Sequence, residues 1–292
     1  MDSYLFIINP TAGGGKAKIF ETYIEKYMSN TNINFKVLYT TKPKEATEMV
    51  INHLNYDTCI AVGGDGTVLE VANGILKRGF GVLGIIPAGT GNDFSKSLLI
   101  TRDTEAAFNK IINRKIKKID IGQVEGSYFL NIASLGFDAE VVRHTDKIKK
   151  AIKGKTAYIL GVLTSLLVYK SNHMIITIDG QEIRRKATLV AIGNGSYYGG
   201  GMEIIPMAKV DDGQLDICII KDINNLRILL LFPSIFKGKH IRYKKYVEFH
   251  RGTNIKVKIK GEIYLNIDGD ISPVSDRDID FNIGNEKIDV IV

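Results

Sequence analysis

Short apolar runs alternate with helix-forming segments through the first third of the chain, and this alternation most constrains what it can fold into. Residues 4–8, 35–39, 58–62 and 82–86 are β-rich and mostly apolar, while 16–28, 44–54, 68–76 and 104–112 suit helices. Strands fed by intervening helices pair in parallel and are covered on both faces. Ligands of such sheets sit beyond the carboxyl ends of the strands, which is where this chain places its glycines.

After residue 115 the rhythm changes to successive β-rich stretches around 124, 128–132, 175–178, 187–192, 215–220, 255–259 and 262–267, the pattern of an antiparallel sandwich. Helices are expected over 156–169 and 225–236. The fold class expected is α/β: a doubly wound parallel-sheet domain over 1–122, an antiparallel β-sandwich over 123–284, and a last strand at 285–292 that could return to the first domain.

A length of 292 residues with 45% hydrophobic content supports two ordinary cores and excludes a disordered chain. With Lys+Arg 39 against Asp+Glu 32, the net charge of +7 draws anionic partners without choosing among nucleotides, nucleic acids and acidic membranes. A nucleic-acid binder would interleave aromatics along a basic strand face, and no such array occurs. Neither apolar peak, 158–169 or 228–236, reaches the roughly 18–20 residues of a bilayer crossing. Cys59 and Cys218 lie in apolar runs and read as structural thiols of a reducing compartment. The opening strand-like run, without a secretory start, gives a cytoplasmic expectation. The basic clusters 147–150 and 237–245 are either solvated faces or contacts to the inner face of an anionic membrane.

Three strand ends carry chemistry. Asn9-Pro10-Thr11-Ala12-Gly13-Gly14-Gly15-Lys16 is a small-residue turn into a helix, but Pro10 and Ala17 break the Walker pattern. In Gly63-Gly64-Asp65-Gly66-Thr67, a carboxylate and a hydroxyl sit among glycines before a helix, which suits phosphates with Mg²⁺ better than packing. Pro87-Ala88-Gly89-Thr90-Gly91-Asn92-Asp93-Phe94 fails as a dinucleotide fingerprint, and its polar residues either hold sugar and phosphate or cap the next helix.

In this order and spacing the three loops resemble the catalytic domain of the diacylglycerol kinase family, which includes sphingosine, ceramide and soluble bacterial lipid kinases. The likeness continues through Asn194-Gly195, Gly199-Gly200-Gly201, Pro206, Ala208, Asp211-Asp212-Gly213 and Asp268-Gly269-Asp270. The resemblance implies a nucleotide domain, a sandwich domain, an active site in the cleft between them, and ATP and Mg²⁺ as cofactors. It places Asn9, Pro10, Thr11, Ala12, Gly13, Thr41, Gly64, Asp65, Gly66, Thr67, Val68, Leu69, Glu70 and Thr90 at ATP-binding positions, with Asp65 near phosphates and metal. Asp212 would be a Mg²⁺ ligand, joined by backbone oxygens at Lys209 and Gln214; read without the family it is an Asp-Gly turn.

Asp268 corresponds to the base that takes a proton from the lipid hydroxyl. Asp270 would share its face if the segment is extended, and soluble bacterial relatives tend to have Glu at that second position. Without the resemblance, Asp268-Gly269-Asp270 is equally a hairpin turn. The activity the resemblance implies is ATP-dependent phosphorylation of a lipid hydroxyl, that of diacylglycerol, in phospholipid metabolism. An NAD kinase-like phosphotransferase and a non-catalytic nucleotide or lipid sensor stay open as alternatives. Family resemblance also implies a homodimer and a lipid substrate met at the membrane surface.

Overall fold

The computed structural model describes residues 3–14, 17–29, 31–137, 165, 169 and 171–292. Ser165 and Tyr169 apart, the helix expected over 156–169 lies outside the described residues, as does the basic cluster 147–150. The chain forms two compact units: Met1–Ile121 with Gly199–Gly201 and Gly284–Val292, and Gly122–Tyr198 with Met202–Ile283.

In the first unit, strands β1 (Ser3–Ile8), β2 (Asn34–Tyr39), β3 (Thr58–Gly63) and β4 (Val82–Pro87) alternate with helices α1 (Ala17–Met28), α2 (Glu45–Ile51), α3 (Asp65–Arg78), α4 (Asp93–Ser97) and α5 (Thr104–Asn113). The sheet runs β2-β1-β3-β4, all parallel. Every residue of β3 and β4 is buried, which explains their unbroken apolar composition. The end of the chain joins this sheet beside β4, with Asp289 opposite Val82 and Val290 opposite Leu83, again in parallel. Phe6, Tyr23, Tyr27 and Phe108 stack between sheet and helices, with Tyr27 and Phe108 5.3 Å apart. Helix α3 opens on Asp65 and closes with Lys77 and Arg78 before Gly79 at φ 82°, charges that complement its dipole.

The second unit is antiparallel. Its strands are β5 (Ile116–Val124, which begins in the first unit), β6 (Ser127–Phe129), β7 (Ile132–Gly136), β8 (Asn172–Ile178), β9 (Gln181–Gly193), β10 (Tyr197–Tyr198), β11 (Met202–Glu203), β12 (Leu215–Lys221), β13 (Val247–Gly252), β14 (Asn254–Ile259), β15 (Glu262–Ile267), β16 (Asp270–Ser275) and β17 (Asp278–Ile291, which ends in the first unit). The order is β16-β15-β7-β9-β8-β14-β17, with β12 on β9 and β13 on β12. Strand β14 shows the governing pattern: Ile255, Val257 and Ile259 point inward while Asn254, Lys256 and Lys258 point out. Each such buried aliphatic side chain contributes about 2 kcal/mol.

The differences from the expected elements have local causes. The stretch 128–132 divides into β6 and β7 because the amides of Leu130 and Asn131 go to the carboxylate of Asp268 and not to a neighbouring strand. The expected helix 225–236 ends as α6 (Asn225–Leu231) and continues as a 3-10 turn, Phe232–Lys237, at Pro233. Strands β13 and β16 are too rich in polar residues to stand out by pattern. Among the described residues no helix is long and apolar enough to cross a membrane. Cys59 and Cys218 are buried free thiols, and burial pushes the Cys59 pKa up to about 11.

Candidate active site

The glycine loops of the first unit meet at the carboxyl ends of β1, β3 and β4. Asn9 leaves β1 with its amide on the Val62 carbonyl at 3.0 Å. Its side-chain oxygen accepts from the Thr11 amide at 3.0 Å and the Thr11 hydroxyl at 2.8 Å, closing a turn over Pro10 into the 3-10 turn of Ala12–Gly14. The Asn9 side-chain nitrogen lies 3.5 Å from the Thr67 hydroxyl, which joins this loop to the start of α3.

Gly64 stands before α3, followed by Asp65, Gly66 and Thr67 in the first turn, whose amides have no carbonyl a turn earlier to bond. Such a terminus attracts anions. A methyl group added at Gly89 would lie 2.4 Å from the Gly64 Cα, so these two loops touch backbone to backbone and only glycine permits it. Asn92, at φ 50°, closes the third loop by exchanging hydrogen bonds with the Gly89 amide and carbonyl, each 2.9 Å. It therefore staples its loop; it does not cap α4. Arg102 donates to the carbonyls of Thr90, at 2.8 Å, and Gly91, bracing the same loop from behind.

Asp65 accepts from the Phe94 amide at 3.0 Å. Burial, and then the charge of Asp93, push its pKa above the ordinary carboxylate value. Asp93 is itself buried, bonded to Lys96 at 2.7 Å and to the Gly200 amide at 2.6 Å. Among the described residues Lys96 is the cation paired with these two neighbouring carboxylates, which leaves negative charge in excess, so Asp65 fits a divalent cation arriving with phosphates.

Other expected nucleotide positions take supporting roles. Val68 is buried and Leu69 half-buried, so both pack α3. Glu70 accepts from the Lys44 amide at 2.9 Å and the Ala46 amide at 3.1 Å, satisfying the start of α2. Thr41 donates its amide and hydroxyl to Glu45, whose carboxyl is thereby held below its ordinary range.

In the second unit Asp268 and Gly269, at φ 47° and 103°, form a two-residue turn between β15 and β16. The extended geometry expected here, with Asp268 and Asp270 on one face, is not what forms. The Asp268 carboxylate turns back and accepts from the amides of Leu130 at 2.6 Å, Asn131 at 3.2 Å and Ile132 at 2.8 Å. Asn194 secures the same segment, donating from its side chain to the Leu130 carbonyl at 3.0 Å. Asp270, first residue of β16, is exposed, and among the described residues no hydrogen bond or ion pair engages its side chain.

Asp212 accepts from the Gln214 amide at 3.3 Å and pairs with Arg251 at 3.2 Å, while Arg251 also holds Asp216 at 2.9 Å. The guanidinium already neutralises Asp212, so a Mg²⁺ ion held there by Asp212 with backbone oxygens of Lys209 and Gln214 would have to compete with Arg251. Among the described residues no three His, Cys, Asp or Glu side chains cluster as metal ligands. Sequence reasoning assigned no role to Lys96, Gly200 or Arg102. Only the Gly199-Gly200-Gly201 run, all at positive φ, carried a signal.

A parallel sheet with glycine-lined, carboxylate-bearing strand ends, in a chain that also builds an antiparallel sandwich, defines a protein of two units, one α/β and one β-sandwich. Comparison with known proteins is specific about which. The diacylglycerol kinase catalytic domain matches residues 3–124, and the YegS C-terminal NAD kinase beta sandwich-like domain matches 131–283. A diacylglycerol kinase of Staphylococcus saprophyticus is 31% identical over 90% of this chain and 87% of its own length. One from Staphylococcus aureus is 33% identical over 75% of this chain and 69% of its own. A crystal structure of a candidate diacylglycerol kinase from Bacillus anthracis superposes with a TM-score of 0.82 at 28% identity, covering 99% of this chain and 95% of that one. An ATP-bound NAD kinase from Archaeoglobus fulgidus shares the fold, with a TM-score of 0.53 at 14% identity, covering 100% and 94%. The chain belongs to the diacylglycerol kinase family.

Proposed function

We propose that this protein is an ATP-dependent lipid kinase that transfers the γ-phosphate to the free hydroxyl of diacylglycerol at a membrane surface, forming phosphatidic acid and ADP. The observation that carries the reading is the contact between the Gly64 and Gly89 backbones beside the half-buried Asp65, a cradle that closes on any side chain at Gly89. First-turn amides of α3 hold phosphate oxygens there, and Asn9, Thr11 and Thr67 border them with polar groups. When bound, Mg²⁺ supplies neutralisation of the triphosphate charge, and Asp65 is the residue that would hold it.

Asp270 accepts the proton of the acceptor hydroxyl as its oxygen bonds to the γ-phosphorus and the bridge to the ADP oxygen breaks. Its exposed carboxylate, unengaged among the described residues, suits that task, whereas Asp268, with its oxygens on three amides, organises the turn that presents it. The test is a radiolabelled phosphate-transfer screen over diacylglycerol, monoacylglycerol, phosphatidylglycerol, sphingosine, undecaprenol and NAD. Labelled phosphatidic acid is the expected product; labelled NADP, or no transfer from ATP to any lipid, would overturn the assignment.

A further inference from the structure

Residues 223–247 contain Arg227, Lys237, Lys239, Arg242, Lys244 and Lys245 and no Asp or Glu. This stretch of the second unit also holds six of the twelve large hydrophobic side chains exposed among the described residues: Leu226 (67%), Leu229, Leu230 (71%), Phe236, Ile241 and Tyr243. Scattered exposed leucines need no explanation, but half of the set within 18 consecutive positions does. Leu226, Leu229 and Leu230 fall at i, i+3 and i+4 of α6, so they line one helix face.

The segment is anchored. Ile235 is buried, Phe232 and Tyr246 pack against a core with Ile204 and Ile205, and buried His240 sits 2.9 Å from the Ile204 carbonyl. Phe232 and Phe236 meet edge to face at 5.5 Å, tying the outward Phe236 to that anchor. What faces solvent is therefore a fixed apolar surface in an all-cationic stretch.

Charge selects the occupant. A second copy of this chain meeting the patch by two-fold symmetry would bring six cations against six with no carboxylate to offset them. An anionic bilayer supplies both matching phases, an acyl boundary for the leucines and phosphates for the lysines and arginines. We propose that residues 226–245 form an interfacial docking surface for anionic phospholipid membranes. The inference rests on this surface and not on which lipid is phosphorylated.

The test uses the full chain in co-sedimentation with vesicles of equal parts phosphatidylglycerol and phosphatidylcholine, against vesicles of phosphatidylcholine alone, across a salt series. The protein is expected to sediment with the anionic vesicles and to be released as salt rises. Leu226→Asp with Leu230→Asp should weaken partitioning at least about tenfold, and Lys237→Glu with Lys239→Glu by about fivefold per charge. Both variants alter exposed side chains, so melting temperature and turnover on a water-soluble short-chain diacylglycerol should match the parent protein. Equal binding by all three proteins, or no binding by the parent, overturns the proposal. So does light scattering that finds a dimer split by the substitutions while vesicle binding is unchanged. Vesicle binding without turnover on any lipid would leave the docking surface standing and remove the lipid-kinase reading.

Discussion

Asp268 and Ile132 bond to each other twice: the Asp268 amide donates to the Ile132 carbonyl at 3.0 Å, and the Ile132 amide donates back to the Asp268 carboxylate at 2.8 Å. The same carboxylate gathers the amides of Leu130 and Asn131 where β6 gives way to β7. An asparagine there presents an amide nitrogen to N–H donors that need an acceptor. Asp268→Asn should therefore destabilise the protein by about 2–4 kcal/mol, as measured by urea denaturation. An unchanged midpoint would show that the carboxylate is not holding the turn.

Asp270→Asn should behave in the opposite way. Its side chain is exposed and, among the described residues, unengaged, so the melting temperature should stay within about 1 °C of the parent. Removing the proton acceptor should lower kcat by about 10²–10⁴-fold, with KM for ATP little changed. If Asp268→Asn proves stable and inactive while Asp270→Asn turns over normally, the two roles are exchanged.

The contrast between these aspartates also marks how far the sequence could be read. Periodicity located β1 to β4 and their glycine loops because strands buried on both faces and helices with one apolar stripe differ in local pattern. The Gly64–Gly89 contact was foreshadowed only as two separate loops, since nothing local in either reports that their backbones touch. Long-range polar partners were illegible for the same reason. Asp93 to Gly200 spans 107 positions and Asp268 to Leu130 spans 138, and no short-range pattern encodes such pairs. The Asp-Gly turn reading at 268–269 described the backbone, while the family resemblance supplied its importance.

The backbone contact of Gly64 and Gly89 predicts an asymmetry. Alanine at Gly89 would place its methyl 2.4 Å from the Gly64 Cα and 2.8 Å from the Asn92 side-chain oxygen, so the loops must part. Alanine at Gly64 would meet the Gly89 Cα at 3.3 Å, a distance that small shifts accommodate. Gly89→Ala should raise KM for ATP by more than about tenfold, and Gly64→Ala by less. Equal effects would mean that the loops move freely apart.

Arg251 bridges exposed Asp212 and buried Asp216. Arg251→Met should destabilise the protein by about 3 kcal/mol by leaving the Asp216 charge unpaired, and adding Asp216→Asn should restore part of that loss. Because the guanidinium already serves Asp212, MgCl₂ without nucleotide should leave the melting temperature of the parent protein unchanged. A clear rise in the parent that is lost in Asp212→Asn would place a metal there after all.

Asp65 sets function against stability. Its raised pKa, caused by burial and then by the charge of Asp93, means that the folded protein holds the ionised form at a cost the unfolded chain does not bear. That cost is fully present above the folded pKa and vanishes as pH falls below the unfolded carboxylate value. Asp65→Asn keeps an oxygen for the Phe94 amide and replaces the second carboxylate beside Asp93 with a neutral amide. At neutral pH the variant should melt about 2 °C or more above the parent, with the difference closing as pH drops through the carboxylate range, while nucleotide binding in the presence of Mg²⁺ collapses. A variant that melts lower at neutral pH would show that the Asp65 charge is already compensated in the folded protein, and would remove the reason for placing the cation there.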